Sequence, residues 1–265
     1  MSDRGTDELF DAAADAYDDQ LVPAFFDEWA AHVAGLLGPP PARGAVLDVG
    51  CGTGVLAPHL AAAGWSRIIG VDPSQGMLAR ARARGVPGAE WVEGTAEGLP
   101  LADGPVDALA SDFALMFMPQ PATAVRAMAA AVRGGGPVVV CTWGDLQDIP
   151  AMGAICEALE QVGGHEASAL LRRAFSMGRR EVLEQVVADA GLPGARVEAH
   201  RVTARFPDVP ALADIYAGPL GLDDVSRTDA LCRALDARLA PFIRDGQVGF
   251  AMTGLIIRAT GTAGP

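Results

Sequence analysis

Residues 46–54, Val-Leu-Asp-Val-Gly-Cys-Gly-Thr-Gly, run an apolar strand straight into a turn of alternating glycines, with an acid, Asp48, just ahead of the first. Gly50, Gly52 and Gly54 let a backbone turn sharply and approach a bound molecule closely, which any larger side chain would obstruct. The segment reads as a nucleotide cradle. The dinucleotide pattern asks for a third glycine three residues beyond the second, on a helix whose N-terminus faces a pyrophosphate, and position 55 is instead Val55. A carboxylate at Asp48 would also repel a pyrophosphate, so the turn favours a nucleoside that carries positive charge and no phosphate.

Two further segments extend the pattern. Strand-like Ile68–Val71 ends in Asp72-Pro73-Ser74, with Asp72 22 residues after Gly50. An acid there accepts hydrogen bonds from ribose hydroxyls, but a nicotinamide site shows the same spacing, and Asp72 alone does not separate the two. The third segment is Glu93-Gly94-Thr95-Ala96-Glu97-Gly98-Leu99-Pro100. In these segments the chain resembles the class I S-adenosylmethionine-dependent methyltransferases. Over its length it is similar to the small-molecule subgroup related to the ubiquinone/menaquinone biosynthesis methyltransferases. The resemblance implies S-adenosyl-L-methionine as cofactor, S-adenosyl-L-homocysteine as product, and a cofactor site of Asp48, Gly50, Cys51, Gly52, Gly54, Asp72, Pro73, Met77, Thr95, Ala96, Glu97 and Phe113. The ammonium and sulfonium of that cofactor match the charge of Asp48. Thr95 stands where many relatives have Asp, which leaves the adenine contact open among Thr95, Ala96 and Glu97.

Along the chain, apolar residues at helical spacing from Thr6 to Leu37, interrupted by Pro23, predict two helices ahead of the first strand. Strands are expected at Ala45–Val49, Arg67–Val71, Trp91–Glu93, Val106–Ser111, Pro137–Trp143, Arg196–Arg205 and Gly249–Ala259. Helices are expected after Gly54 and at Ser74–Arg84, Ala122–Val132, Ala151–Val162, Arg179–Ala190 and Thr228–Leu239. This alternation predicts an α/β, doubly wound, mostly parallel sheet with its ligand beyond the carboxyl ends of the strands. The resemblance adds a Rossmann-like seven-stranded order, 3-2-1-4-5-7-6, with the last strand antiparallel. The expected organisation is one domain over 1–265: an N-terminal helical lid at 1–40, a core at 41–206 and 248–260, and a cap at 207–247 marked by Pro207, Pro210, Pro219 and Pro241.

Composition narrows the function. The net charge of −13 argues against a nucleic-acid partner. Every Lys/Arg position is Arg, which rules out a lysine Schiff base or lysine base. Cys51, Cys141, Cys156 and Cys232 show no zinc spacing, so no metal is expected and the four read as small core residues. The N-terminus lacks a secretory pattern, and no apolar run approaches the ~20 residues needed to cross a bilayer, giving the expectation of a cytoplasmic protein without membrane insertion. A homodimer is left open.

The acceptor pocket is expected from Tyr17, Met116, Phe117, Met118, Trp143 and Tyr216. Tyr17 lies in an Ala-x-x-Tyr-Asp element that in the resembled family helps close the site; a packing role for it is equally open. Ser111–Gln120 resembles a Ser-x-Phe-x-Leu-Met-Phe-Phe-Pro run of the small-molecule subgroup, with Asp112 where glutamine is frequent. If the acceptor needs a base, Tyr17 and His165 are the candidates. These features point to methylation of a small, apolar, aromatic or polyketide-like secondary metabolite. The alternatives are a fold relative that keeps the cofactor but catalyses a cyclisation or rearrangement, a cofactor-binding subunit without activity, and an NAD oxidoreductase, which Asp48 and Val55 disfavour.

Overall fold

The computed structural model describes residues 3–217 and 224–264, with side chains from residue 9 onward; Pro219 lies outside the described residues. Eight strands form one sheet: β1 (Ala45–Val49), β2 (Arg67–Asp72), β3 (Ala89–Glu93), β4 (Ala108–Asp112), β5 (Pro137–Trp143), β6 (Arg196–Phe206), β7 (Ile243–Arg244) and β8 (Gln247–Thr260). Their order is β3-β2-β1-β4-β5-β8-β6, with β7 paired to β8. The expected arrangement holds, the expected seventh strand being β8, antiparallel to both β5 and β6. In β1, β2, β4 and β5 almost every residue is buried, because helices cover both faces of a parallel sheet. The additional strand, β7, closes a hairpin through Asp245-Gly246, both left-handed (φ 52° and 81°), as a two-residue turn between twisted strands requires.

The N-terminal region departs from the expected pair of helices. α1 (Asp3–Ala16) continues through a π-helical stretch, Tyr17–Phe26, into α2 (Asp27–Leu37) without a break. The Asp27 N–H donates to the Val22 carbonyl five residues back. Pro23 has no N–H and in an α-helix would collide with the carbonyl four residues back; the wider π coil carries the chain past it. The other helices are α3 (Leu56–Ala62), α4 (Gln75–Ala83), α5 (Pro121–Ala130), α6 (Pro150–Gly163), α7 (Glu166–Ala174), α8 (Arg180–Ala190), α9 (Val209–Ala217) and α10 (Val225–Leu239). Of these, α7 and α9 were not anticipated.

Acids at helical spacing fasten the N-terminal rod to α4. Asp11 Oδ1 accepts from the Gly76 N–H at 2.8 Å and from Ser74 Oγ at 2.5 Å. Arg80 reaches Asp15 at 2.6 Å and Asp19 at 3.2 Å, while Arg84 pairs with Asp18 and donates to the Thr53 carbonyl at 2.6 Å. The Arg80 pairs, whose acids are exposed, each contribute little, on the order of 0–1 kcal/mol, and mainly set the register of the rod, whereas the Arg84–Asp18 pair is half-buried. Further along, Trp29 is fully buried beside Phe113 and Trp143, and Gly254, opposite Trp143 across β5 and β8, leaves room for its ring: a Cβ there would lie 2.6 Å from Trp29.

The glycine turn sits where β1 ends. Gly50 and Cys51 N–H groups both donate to the Val71 carbonyl of β2, at 2.7 and 3.1 Å. Gly50, Gly52 and Gly54 all have positive φ (72°, 52° and 75°). A Cβ on Gly50 would lie 2.2 Å from the Ala114 Cβ, whereas one on Gly52 would meet nothing nearer than Met77 Sδ at 4.0 Å. Gly50→Ala is therefore expected to cost roughly 2–5 kcal/mol, a left-handed penalty plus overpacking, and Gly52→Ala only about 1–2 kcal/mol, the backbone penalty alone. Urea denaturation of the two variants checks this, and equal losses would mean that Ala114 yields freely.

Candidate functional site

The carboxyl ends of β1, β2, β4 and β5 open into a cavity of about 660 Å³. One flank is the glycine turn with Asp72, Pro73, Met77 and the Gly94–Glu97 loop; Leu9, Phe10, Ala13 and Tyr17 of the N-terminal rod form the roof. The other flank is Phe113, Phe117, Met118 and Trp143, joined by α7, α6 and the Ile215-Tyr216 end of α9. Phe10 packs edge-on against Phe117 at 5.1 Å, and Phe113 stacks on Trp143 at 3.7 Å with a 17° tilt, so aromatic faces close the space on two sides.

Among the described lining residues the charged ones are all acids: Asp72, Glu97 and Asp112. Asp72 is held by two backbone donors, Gly52 N–H on Oδ2 and Ser74 N–H on Oδ1, each at 2.9 Å, so the carboxylate that ends β2 is tied to the turn that ends β1. Ser74 Oγ in turn accepts from the Met77 N–H and starts α4. Asp48 lies beneath the turn at 1% exposure with Oδ2 unpartnered, and Asp112 Oδ1 is likewise enclosed and unpartnered. Burial, then the neighbouring Asp112 and Asp72, holds the Asp48 carboxyl well above the usual carboxylate range. Burial pushes Asp112 up to about 7, opposed by a hydrogen bond from the Cys141 thiol. The next residue, Phe113, is in the left-handed region (φ 56°), a strained conformation for a non-glycine, and its N–H donates to the Cys141 carbonyl at 3.1 Å.

Buried carboxylate oxygens without donors are costly beside one another and are relieved by a cation. This donor set fits a ligand bearing an ammonium and a sulfonium, and opposes a pyrophosphate. Residues 47–140 match the methyltransferase domain family. This match, with the relatives named below, supports a class I S-adenosylmethionine-dependent methyltransferase. Among curated relatives it is 32% identical over 66% of its length to malonyl-[acyl-carrier protein] O-methyltransferase of Methylococcus capsulatus, covering 61% of that protein. It is 42% identical over 36% of its length to demethylmenaquinone methyltransferase of Mycolicibacterium vanbaalenii, covering 40% of it. The matches thus span less than two thirds of these relatives. Haemonchus contortus phosphoethanolamine N-methyltransferase 2, solved with S-adenosyl-L-methionine, shares the fold with a TM-score of 0.56 and 16% identity, over 89% of this chain and 53% of that one.

Of the expected site residues, Gly50, Gly52, Asp72, Pro73, Met77, Thr95, Ala96, Glu97 and Phe113 line the cavity, as do Tyr17, Phe117, Met118, Trp143 and Tyr216. Asp48, Cys51 and Gly54 lie behind the lining and shape the turn; the Cys51 thiol is pushed up by burial, and a Cβ on Gly54 would meet the Trp91 ring at 2.5 Å. Two expected residues lie elsewhere. Met116 is 4% exposed in the core, because the tight turn Leu115–Phe117 directs it inward and leaves Phe117 and Met118 for the cavity. His165 precedes α7 with its side chain 83% exposed, 3.5 Å from Glu160, on the solvent side of that helix and outside the lining. The residues missed include Leu9, Phe10 and Ala13 of the N-terminal rod and Ala167, Leu170, Leu171 and Ala174 of α7, whose spacing is a helical stripe; Asp112 is placed on the rim by the sequence, but its enclosure is not foreseen. Burial also raises the Tyr17 hydroxyl, followed by the nearby Asp112 and Asp72, which argues against its acting as a phenolate.

Asp72→Ala is expected to weaken S-adenosylmethionine binding by about 1–3 kcal/mol through loss of charged hydrogen bonds; calorimetric affinity equal to the wild type would contradict a cofactor role. For Asp112, the folded pKa of about 7 exceeds the ordinary 3.8, so the folded state holds more protons between those values and this residue's contribution to stability falls as pH rises through that window. Asp112→Asn should therefore gain stability relative to wild type at about pH 8 compared with about pH 5, read from urea midpoints at both. A difference independent of pH would mean that Asp112 titrates in its ordinary range.

Proposed function

We propose that the protein transfers the methyl group of S-adenosylmethionine to a small, uncharged, largely apolar acceptor of aromatic or polyketide-like type, in secondary metabolism. The observation that carries this reading is a cavity walled by aromatic and aliphatic side chains whose charged lining residues are all acids. An acceptor bearing a carboxylate or phosphate finds no counter-charge among the described lining residues. This favours a neutral acceptor over one like that for which the malonyl-[acyl-carrier protein] relative is named.

In this reading Asp72 accepts from the ribose, Thr95, Ala96 and Glu97 serve the adenine edge, and the turn, with Asp48 behind it, serves the ammonium. When bound, the cofactor supplies an electrophilic methyl carbon. The protein's share is then to hold the acceptor within near-attack distance, roughly 3–3.5 Å, and to exclude water. The N-terminal rod serves the second task, roofing the cavity with Leu9, Phe10, Ala13 and Tyr17. Among the described residues no helix is long and apolar enough to cross a membrane.

Incubation with S-adenosylmethionine and a set of neutral aromatics including 1-naphthol should release S-adenosylhomocysteine and give a product heavier by CH₂ in mass spectrometry. Cofactor that binds but stays intact with every acceptor would favour a non-methylating reaction. No binding at all would remove the cofactor assignment.

A further inference from the structure

Asp112 closes β4 on the cavity side, and nothing so far gives it a task. Its Oδ1 is enclosed without a donor, Cys141 stands opposite it in the register of β5, and the strained Phe113 backbone fixes the chain immediately after it. The titratable groups around it are Asp48 from β1, Asp72 from β2, Tyr17 from the N-terminal rod and Cys141, all acids. An acceptor bearing a hydroxyl or amine must lose a proton as it is methylated, and the lining offers no imidazole or lysine to take it. Asp72 is engaged by two backbone N–H groups, and Asp48 lies behind the turn.

Building on the methyl-transfer reading, we infer that Asp112 is the catalytic residue that takes the proton of a hydroxyl or amine on the acceptor. The acceptor's O–H or N–H bond breaks and its proton passes to the Asp112 carboxylate. A lone pair of that oxygen or nitrogen forms the bond to the methyl carbon, the pair of the broken O–H or N–H bond stays behind as a lone pair, and the carbon–sulfur pair stays on sulfur. One positive and one negative charge disappear together. The surroundings suit this exchange: a nearby cation draws Asp112 toward its ionised form, and once the cation is gone its burial favours the protonated form.

Calorimetry with S-adenosylmethionine and with S-adenosylhomocysteine, in buffers of different ionisation enthalpy, counts the protons moved on binding. In the wild type near neutral pH, the sulfonium ligand should expel more protons than its neutral counterpart. Asp112→Asn should bind both ligands and abolish that difference, and Cys141→Ala, which removes the thiol donor, should move its maximum to higher pH. Equal proton counts in the wild type, or a difference that persists in Asp112→Asn, would overturn the inference. Absence of S-adenosylmethionine binding by the wild type would overturn the underlying methyl-transfer reading as well. A kinetic comparison separates proton removal from mere charge pairing with the donor. In Asp112→Asn, methylation of 1-naphthol should fall at least about 100-fold, while 1-naphthalenethiol, already largely ionised in mildly alkaline solution, should lose no more than about fivefold. Equal losses with the two acceptors would overturn the assignment.

Discussion

The carbonyl of Val71 holds the site together. By accepting from both Gly50 and Cys51 it pulls the end of β1 over the end of β2, and the next residue, Asp72, completes the junction through the Gly52 N–H. Three left-handed glycines make that approach possible, and Ala114 beside Gly50 and Trp91 beside Gly54 leave no volume for anything larger. The sheet thereby brings three carboxylates from neighbouring strands, Asp48, Asp72 and Asp112, to one rim. Their mutual influence on ionisation follows from the strand order.

Charge is partitioned across the molecule. The acids of the N-terminal rod meet Arg80 and Arg84 of α4, where water weakens the Arg80 pairs most, while the acids of the rim face a largely apolar cavity. The same residue type therefore does two jobs. Outside, carboxylates align one helix on another; inside, they create a demand for a cation that the protein does not itself supply.

Much of this was legible in the sequence because it rests on short, local patterns. The apolar runs of β1, β2, β4 and β5 and the glycine turn fix the parallel core, and the 22-residue step to Asp72 follows from one βαβ unit. What escaped depends on long-range context. Pro23 reads as a helix breaker, and the spacing of apolar residues does not reveal that a π coil carries the chain past it. α7 follows two glycines and opens with polar residues, which masks the stripe Ala167, Leu170, Leu171 and Ala174. Met116 and Met118 are indistinguishable by type, and a single tight turn sends one to the core and the other to the cavity. Asp112 looks like an ordinary strand-end acid until burial, the Cys141 thiol and an unpartnered oxygen are seen together.

The π-helical stretch makes chain length, rather than residue identity, the dial that sets the roof. Each residue of an α-helix advances the azimuth by about 100°, so one residue removed from or added to Tyr17–Phe26 would rotate everything upstream by a comparable angle relative to α2. Leu9, Phe10 and Ala13 would swing off the opening while Trp29 kept its seat on the sheet. Substitutions within the stretch can retune contacts one at a time; an indel would redraw the whole ceiling in a single event.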